Sequence, residues 1–209
     1  MADIKIYSKI KDGHLKLSKN FTVREFACSD GSDTVKIDLD NVKNLQKIRD
    51  HFGTSVRITS GYRTKTYNAK IGGAKNSLHT FGQATDIVIS GVDALKVALY
   101  ADSIGCRGVI YYPVKKFTHI DTRAGYYHAI CIGDNYFPEP GATMKKGSSG
   151  DAVKWIQHML RFAGYKLAVD GKFGSGTVAA VKAFQQAHGL DADGAFGAKT
   201  KKKMKEVLM

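Results

Sequence analysis

Cysteine, proline and tryptophan are scarce in this chain of 209 residues, at three, three and one. Cys28, Cys106 and Cys131 are odd in number, far apart and never in a CxxC pair. That spacing argues against a thiolate zinc site and for free, partly buried thiols. Long apolar runs are missing as well. No stretch reaches the 18 or so apolar residues that a membrane-spanning helix needs, so membrane insertion is not expected. The opening Met1-Ala2-Asp3-Ile4-Lys5-Ile6 lacks the apolar core of a secretory signal. The expectation is synthesis in the cytoplasm, with any later release left to another system. Acidic residues are also few: 19 Asp and Glu face 32 Lys and Arg, a net charge of +13.

What remains is an ordinary globular composition, 43% hydrophobic and 24% charged, long enough for two domains. Positive charge is densest after residue 143, where 12 Lys and Arg meet 5 Asp and Glu. Such a field favours a polyanionic partner without choosing among nucleic acid, anionic lipid and anionic wall polymers. No zinc-finger spacing or RNP motif accompanies it, so nucleic acid is not expected as a partner. The run Lys201-Lys202-Lys203-Met204-Lys205 reads as a solvated helix end, where cations suit the helix dipole.

Residues 134–150 hold two of the three prolines and several glycines and serines, which reads as a linker. The boundary is expected near Gly141, giving domains 1–140 and 141–209. In the second, Asp151 reads as a helix N-cap, and Val153, Ile156, Leu160 and Phe162 follow at helical spacing. Val178, Val181, Phe184 and Leu190 make a second apolar face. Two turns repeat, Asp170-Gly171-Lys172-Phe173-Gly174 and Asp193-Gly194-Ala195-Phe196-Gly197, each ahead of a threonine (Thr177, Thr200) that starts another helix. The turns lack the ligand series of a calcium loop. With Gly147–Gln157 and Ala183–Leu190, these turns give residues 143–205 a resemblance to the peptidoglycan-binding domain found beside many wall hydrolases.

In the first domain, Val56–Ser60 alternates as a strand does and ends at Gly61. Asp86 leads Ile87, Val88 and Ile89 into a buried strand, where a carboxylate needs a partner such as a metal ion. Phe117–Asp121 reads as another strand, with His119 and Asp121 on one face. Helices are expected at Asp40–Phe52, from Val42, Leu45 and Ile48, and at Asp93–Ile104, from Leu95, Ala98 and Leu99. Tyr111, Tyr112, Tyr126 and Tyr127 surround the strand pair, as core or as groove lining.

His79, Asp86 and His119 together make a donor set of the kind zinc accepts, leaving a fourth position to water. Among seven histidines that spacing says little by itself. The fuller pattern says more: Ser77, His79, Gly82, Ala84 and Asp86 in the frame Ser-x-His-x-x-Gly-x-Ala-x-Asp, with Ser60-Gly61-Tyr62-Arg63 upstream and His119-Ile120-Asp121 downstream. Over roughly residues 16–132 the chain resembles the zinc D-alanyl-D-alanine carboxypeptidase family, which includes bacteriophage endolysins. Leu17–Phe26 is similar to the opening of one branch of it.

The resemblance implies an α+β fold, a small antiparallel sheet with helices on one side, followed by a three-helix all-α domain. It implies Zn2+ held by His79, Asp86 and His119, Arg63 on a substrate carboxylate, Ser77 on substrate near the metal, and Gly82 and Ala84 keeping the loop tight. Many members carry a catalytic acid three residues before the last ligand; here that position is Lys116. Asp121 then stands either as general base and acid or as the group that orients a ligand histidine. His128 reads as a surface residue or as a further member of the site. The function implied is hydrolysis of peptide bonds in bacterial peptidoglycan, by carboxypeptidase or endopeptidase action, in a monomeric endolysin that acts at the wall after release. The alternative is a zinc-containing wall-binding protein without catalysis.

Overall fold

In the computed structural model, which describes residues 3–209, β1 (Ile4–Ser8) pairs antiparallel with β2 (Thr34–Asp38). The short helix α1 (Lys9–Asp12) leaves β1. Asp38 then caps α2 (Leu39–Phe52) by accepting from Asp40 N, and Gly53 ends that helix in the left-handed conformation. Val42, Leu45 and Ile48 are the buried stripe of α2, as their spacing predicts.

A second sheet carries the chemistry. Its first members are β3 (Val56–Ser60), β4 (Ala84–Ile89), β5 (Gly108–Tyr112) and β6 (Phe117–Asp121). They run in the order β3-β4-β6-β5 and every neighbouring pair is antiparallel. Between β3 and β4 lie α3 (Lys65–Lys70) and a 3-10 turn, Leu78–Phe81. Asp93 caps α4 (Ala94–Ser103) by accepting from Leu95 N. That helix packs on β5 and β6, and the Thr118 hydroxyl donates to Ala94 O at 2.8 Å. Thr118 and Ile120 thus face the helices. The alternate residues His119 and Asp121 face the other way. Cys28, Cys106 and Cys131 are buried and form no disulfide among the described residues.

Packing divides the chain into two units, one ending at Tyr127 and one spanning His128–Met209. The break falls earlier than the linker composition suggests. Residues 134–150 are not all linker: β8 (Asn135–Pro138) pairs with β7 (Tyr127–Ile132) and packs on α5 (Asp151–Phe162). Phe137 is buried against His158, and Pro138 ends the strand, where a missing donor is tolerated. Gly150, not Asp151, is the N-cap of α5; Asp151 is the first helical residue and pairs with Lys154.

The rest of this unit is α6 (Ser175–Ala187) and α7 (Ala198–Leu208). Its polar organisation repeats. Gln157 Nε2 donates to Asp170 Oδ1, Lys172 O and Thr177 Oγ1, and Oε1 accepts from Gly171 N. Gln185 makes the same four bonds with Asp193, Ala195, Thr200 and Gly194. Both glutamines are buried, and each shares its two amide hydrogens among three acceptors. Phe173 and Phe196, one from each turn, are fully buried. The α7 lysines are not simply a solvated end. Lys201 and Lys205 grip Glu139 at 2.9 and 2.6 Å, whereas Lys202 and Lys203 pair with Glu206 at the surface.

Candidate metal centre

Asp86 and His119 are direct cross-strand partners on β4 and β6. They share the face turned away from the helices, where paired side chains lie within contact. His79 reaches them from the 3-10 turn, and two glycine-dependent contacts fix that approach. Gly82 ends the turn at φ +77, a region that favours glycine, and any Cβ there would run into the Lys36 backbone. Gly82 O in turn accepts from Asp38 N.

The three donor atoms converge. His79 Nε2 lies 3.2 Å from His119 Nδ1 and 3.3 Å from Asp86 Oδ1, and His119 Nδ1 is 2.9 Å from the same oxygen. Tetrahedral zinc with bonds of ~2.0–2.2 Å holds its ligands ~3.3–3.5 Å apart, so the triangle needs only slight expansion. The other nitrogen of each ring is already used. His79 Nδ1 is 2.8 Å from Gly61 O, and His119 Nε2 is 3.0 Å from Asp121 Oδ2. Both acceptors call for a proton on the outer nitrogen, which leaves the inner nitrogens as lone pairs aimed at one point beside a carboxylate. Opposed lone pairs of this kind suit a cation between them, so the residues fit a zinc ion.

With no ion bound, neighbouring charge governs titration, and zinc would displace the inner proton of His119 on binding. Burial lowers the His79 pKa, and the Asp86 charge only partly restores it. Burial also disfavours the charged form of His119, but Asp121 and Asp86 outweigh it and push its pKa up to about 9. Burial alone would raise Asp86; the two histidines instead hold it below the usual carboxylate range. Asp121 is likewise held low against burial, by Arg123 and then His119.

Two arginines brace the carboxylates. Arg63 Nη2 pairs with Asp86 Oδ2 at 2.6 Å, and its Nε donates to Ser60 Oγ at 2.7 Å. Asp86 therefore presents a single oxygen to the cluster. Arg123 donates from its backbone N and Nε to Asp121 Oδ1, at 3.1 and 2.8 Å, and from Nη2 to Oδ2. Its guanidinium lies over the Tyr127 ring, 4.8 Å from the centroid. Gly108, opposite Asp121 on β5, completes the cradle: a Cβ there would overlap all three terminal atoms of the Asp121 carboxylate.

Of the residues singled out from sequence, His79, Asp86 and His119 meet as one group. Arg63 meets them through Asp86. Ser77 stands at the N-cap of the 3-10 turn, and its hydroxyl makes no hydrogen bond to another described residue. Asp121 lies behind His119, away from the convergence point. Lys116 is in the β5–β6 hairpin turn at φ +54, with its N–H on Tyr112 O. His128 belongs to the second unit and lies 3.7 Å from Glu139. Of the tyrosines, Tyr111 is buried and Tyr126 is 75% exposed. Sequence reasoning missed Gly108 and Arg123. Their only signal is a glycine opening one strand and an arginine two residues beyond Asp121 on the next.

A buried imidazole pair and a carboxylate beside one sheet face form a group able to hold a metal ion on an α+β scaffold. Residues 19–121 match the Peptidase M15 family, and residues 149–204 match the putative peptidoglycan binding domain. The chain thus carries a Peptidase M15 domain followed by a peptidoglycan-binding domain. It is 51% identical over 63 residues to the zinc D-Ala-D-Ala carboxypeptidase of Streptomyces albus G, covering 28% of this chain and 24% of that one. It is 36% identical over 95 residues to a probable peptidoglycan L,D-endopeptidase MepK of Haemophilus influenzae, covering 42% and 51%. A Burkholderia AP3 phage endolysin structure is 43% identical over 30% of this chain and 24% of its own, with a TM-score of 0.30, too low to argue from. The chain spans between a quarter and a half of the length of these curated relatives.

Proposed function

We propose that this protein is a zinc peptidase that hydrolyses peptide bonds in the stem or cross-link peptides of bacterial peptidoglycan, as a carboxypeptidase or endopeptidase of the endolysin type. The observation that carries the reading is the convergence of His79 Nε2, His119 Nδ1 and Asp86 Oδ1 within 3.3 Å of one another, with both outer ring nitrogens already bonded. These three residues are the proposed zinc ligands. Bound zinc supplies Lewis acidity and brings the pKa of a water near 7.

The chain's own groups divide the remaining work. Gly61 O and Asp121 fix the tautomer and tilt of the two imidazoles. Arg63 steadies Asp86 and has Nη1 left to offer a substrate carboxylate. The Ser77 hydroxyl is free to bond substrate. Of the two roles open to Asp121, the geometry supports orientation of His119, because its oxygens are committed to His119 Nε2 and Arg123. The peptidase domain is assigned to residues 1–140 and the wall-binding domain to 141–209. The second domain holds the first at an insoluble substrate, and its lysines suit the anionic polymers of a wall. The monomer acts at the wall, and no helix among the described residues is long and apolar enough to cross a membrane.

The test is incubation of zinc-loaded protein with purified peptidoglycan, with and without chelator, beside His79→Ala, with fragments identified by mass spectrometry. Chelator-sensitive release of one defined fragment, absent in His79→Ala, is expected. Lys116 stands where many relatives carry an acid, which gives the non-catalytic reading its footing. Protein that binds zinc and sediments with walls yet releases nothing would establish that alternative.

A further inference from the structure

Where β4 begins and β6 ends, Gln83, Asp121 and Thr122 meet the first turns of α2, at Asp40 and Asn44, and the approach to β5, at Arg107. Between them lies a cavity of about 470 Å³. Most of its charged and hydroxyl groups are already engaged. Asp40 pairs with Lys43 at 2.8 Å, Asp121 with Arg123 and His119, and the Thr122 hydroxyl donates to Asp38. Three groups are not. The side-chain amides of Asn44 and Gln83, both half-buried, make no hydrogen bond to another described residue. Arg107 gives Nη1 to Ala124 O at 3.0 Å and pairs with no carboxylate among the described residues.

We propose that this cavity binds a carboxylate-bearing segment of the wall peptide, an inference that rests on the substrate class proposed above. Arg107 is the one uncommitted charge in the lining, and its planar fork matches a carboxylate. A side-chain carboxamide offers both a donor and an acceptor, the pair that a peptide N–H and C=O need. Asn44 and Gln83 therefore read the peptide backbone while Arg107 reads the acid. Arg63 keeps only Nη1 for a carboxylate at the metal, since Asp86 and Ser60 occupy its other two nitrogens, so a second acidic group falls to Arg107. Asp121 ties the cavity to the metal centre: it lines the cavity and bonds the back of His119.

The experiment measures binding of a fluorescent soluble wall peptide to the zinc-loaded protein, in two forms, with its acidic residue free and as the carboxamide. Wild type is expected to favour the free acid roughly tenfold, as a charged hydrogen-bond pair does. Arg107→Ala should erase that preference without changing zinc content. Asn44→Ala/Gln83→Ala should weaken both forms alike. Equal binding of the two forms by wild type, no binding of either, or a preference that survives Arg107→Ala would overturn the proposal. Hydrolysis is followed in the same samples. An acid preference that depends on Arg107 without any cleavage would sink the peptidase reading and leave the cavity assigned.

Discussion

Gly108→Ala is a sharp probe of how the metal centre is held. The new methyl would overlap the Asp121 carboxylate, which is buried and held in place by Arg123 and His119. To regain van der Waals separation the carboxylate must retreat by roughly 1 Å. Its bond to His119 Nε2, now 3.0 Å, then passes beyond hydrogen-bonding range. His119 loses the acceptor that fixes its tautomer. Loss of such an outer partner typically costs about 10–100-fold in metal affinity, equivalent to about 1.4–2.7 kcal/mol. Zinc affinity measured by competition with a chromophoric chelator should fall by that factor, and Asp121→Ala should fall at least as far. If Asp121 only orients His119, saturating zinc restores most of the turnover of Gly108→Ala. If Asp121 is the general base, turnover stays low at every zinc concentration. Unchanged zinc affinity in both variants would refute the reasoning.

Other perturbations separate the remaining contributions. Gln185→Ala removes an amide with four hydrogen bonds and leaves Gly194 N–H and the Asp193 carboxylate short of a partner; a loss of about 2–4 kcal/mol is expected in thermal unfolding of the second unit, with Gln157→Ala close behind. Gly82→Ala forces a side chain into a left-handed position against Lys36 and should lower the denaturant midpoint of the first unit by the equivalent of about 1–3 kcal/mol. Burial would raise the Glu139 pKa, but His128, Lys205 and Lys201 overcome it and hold it at about 2, down from 4.5. Its folded-state pKa is depressed, so its contribution is complete above pH 4.5 and disappears as the pH falls toward about 2. The amount is about 3 kcal/mol, and pH-dependent unfolding of Glu139→Gln should be flatter across that window.

The sheet core could be read from the chain because it follows local rules, whereas the donor set was named from the motif frame that carries the family resemblance. Asp86 and His119 lie in β-branched strands whose period of two fixes which side chains share a face. The caps at Asp38 and Asp93 set where α2 and α4 begin. What could not be read depends on approach in three dimensions. Whether Asp121 meets the metal or the back of His119 turns on which imidazole nitrogen faces inward, and spacing carries no trace of that. The engagement of Arg63 with Asp86 joins a loop to a strand 23 residues apart. Residues 134–150 misled because proline density signals a break, yet Phe137 finds an apolar bed against α5. The buried glutamines were hidden by their polarity, although in each repeat a large apolar residue, Ile156 or Phe184, comes just before them.

The paired glutamine hubs also say where this scaffold accepts change. In the first repeat 13 positions separate glutamine from aspartate, and in the second only 8. The aspartate-to-threonine spacing is identical in both. The clamp itself has a fixed span, while the loop that feeds it has a free length, since closing a longer loop costs little. A foreign segment grafted between Gly164 and Val169 should leave both hubs intact, making that loop the natural place to give the domain a new surface to recognise.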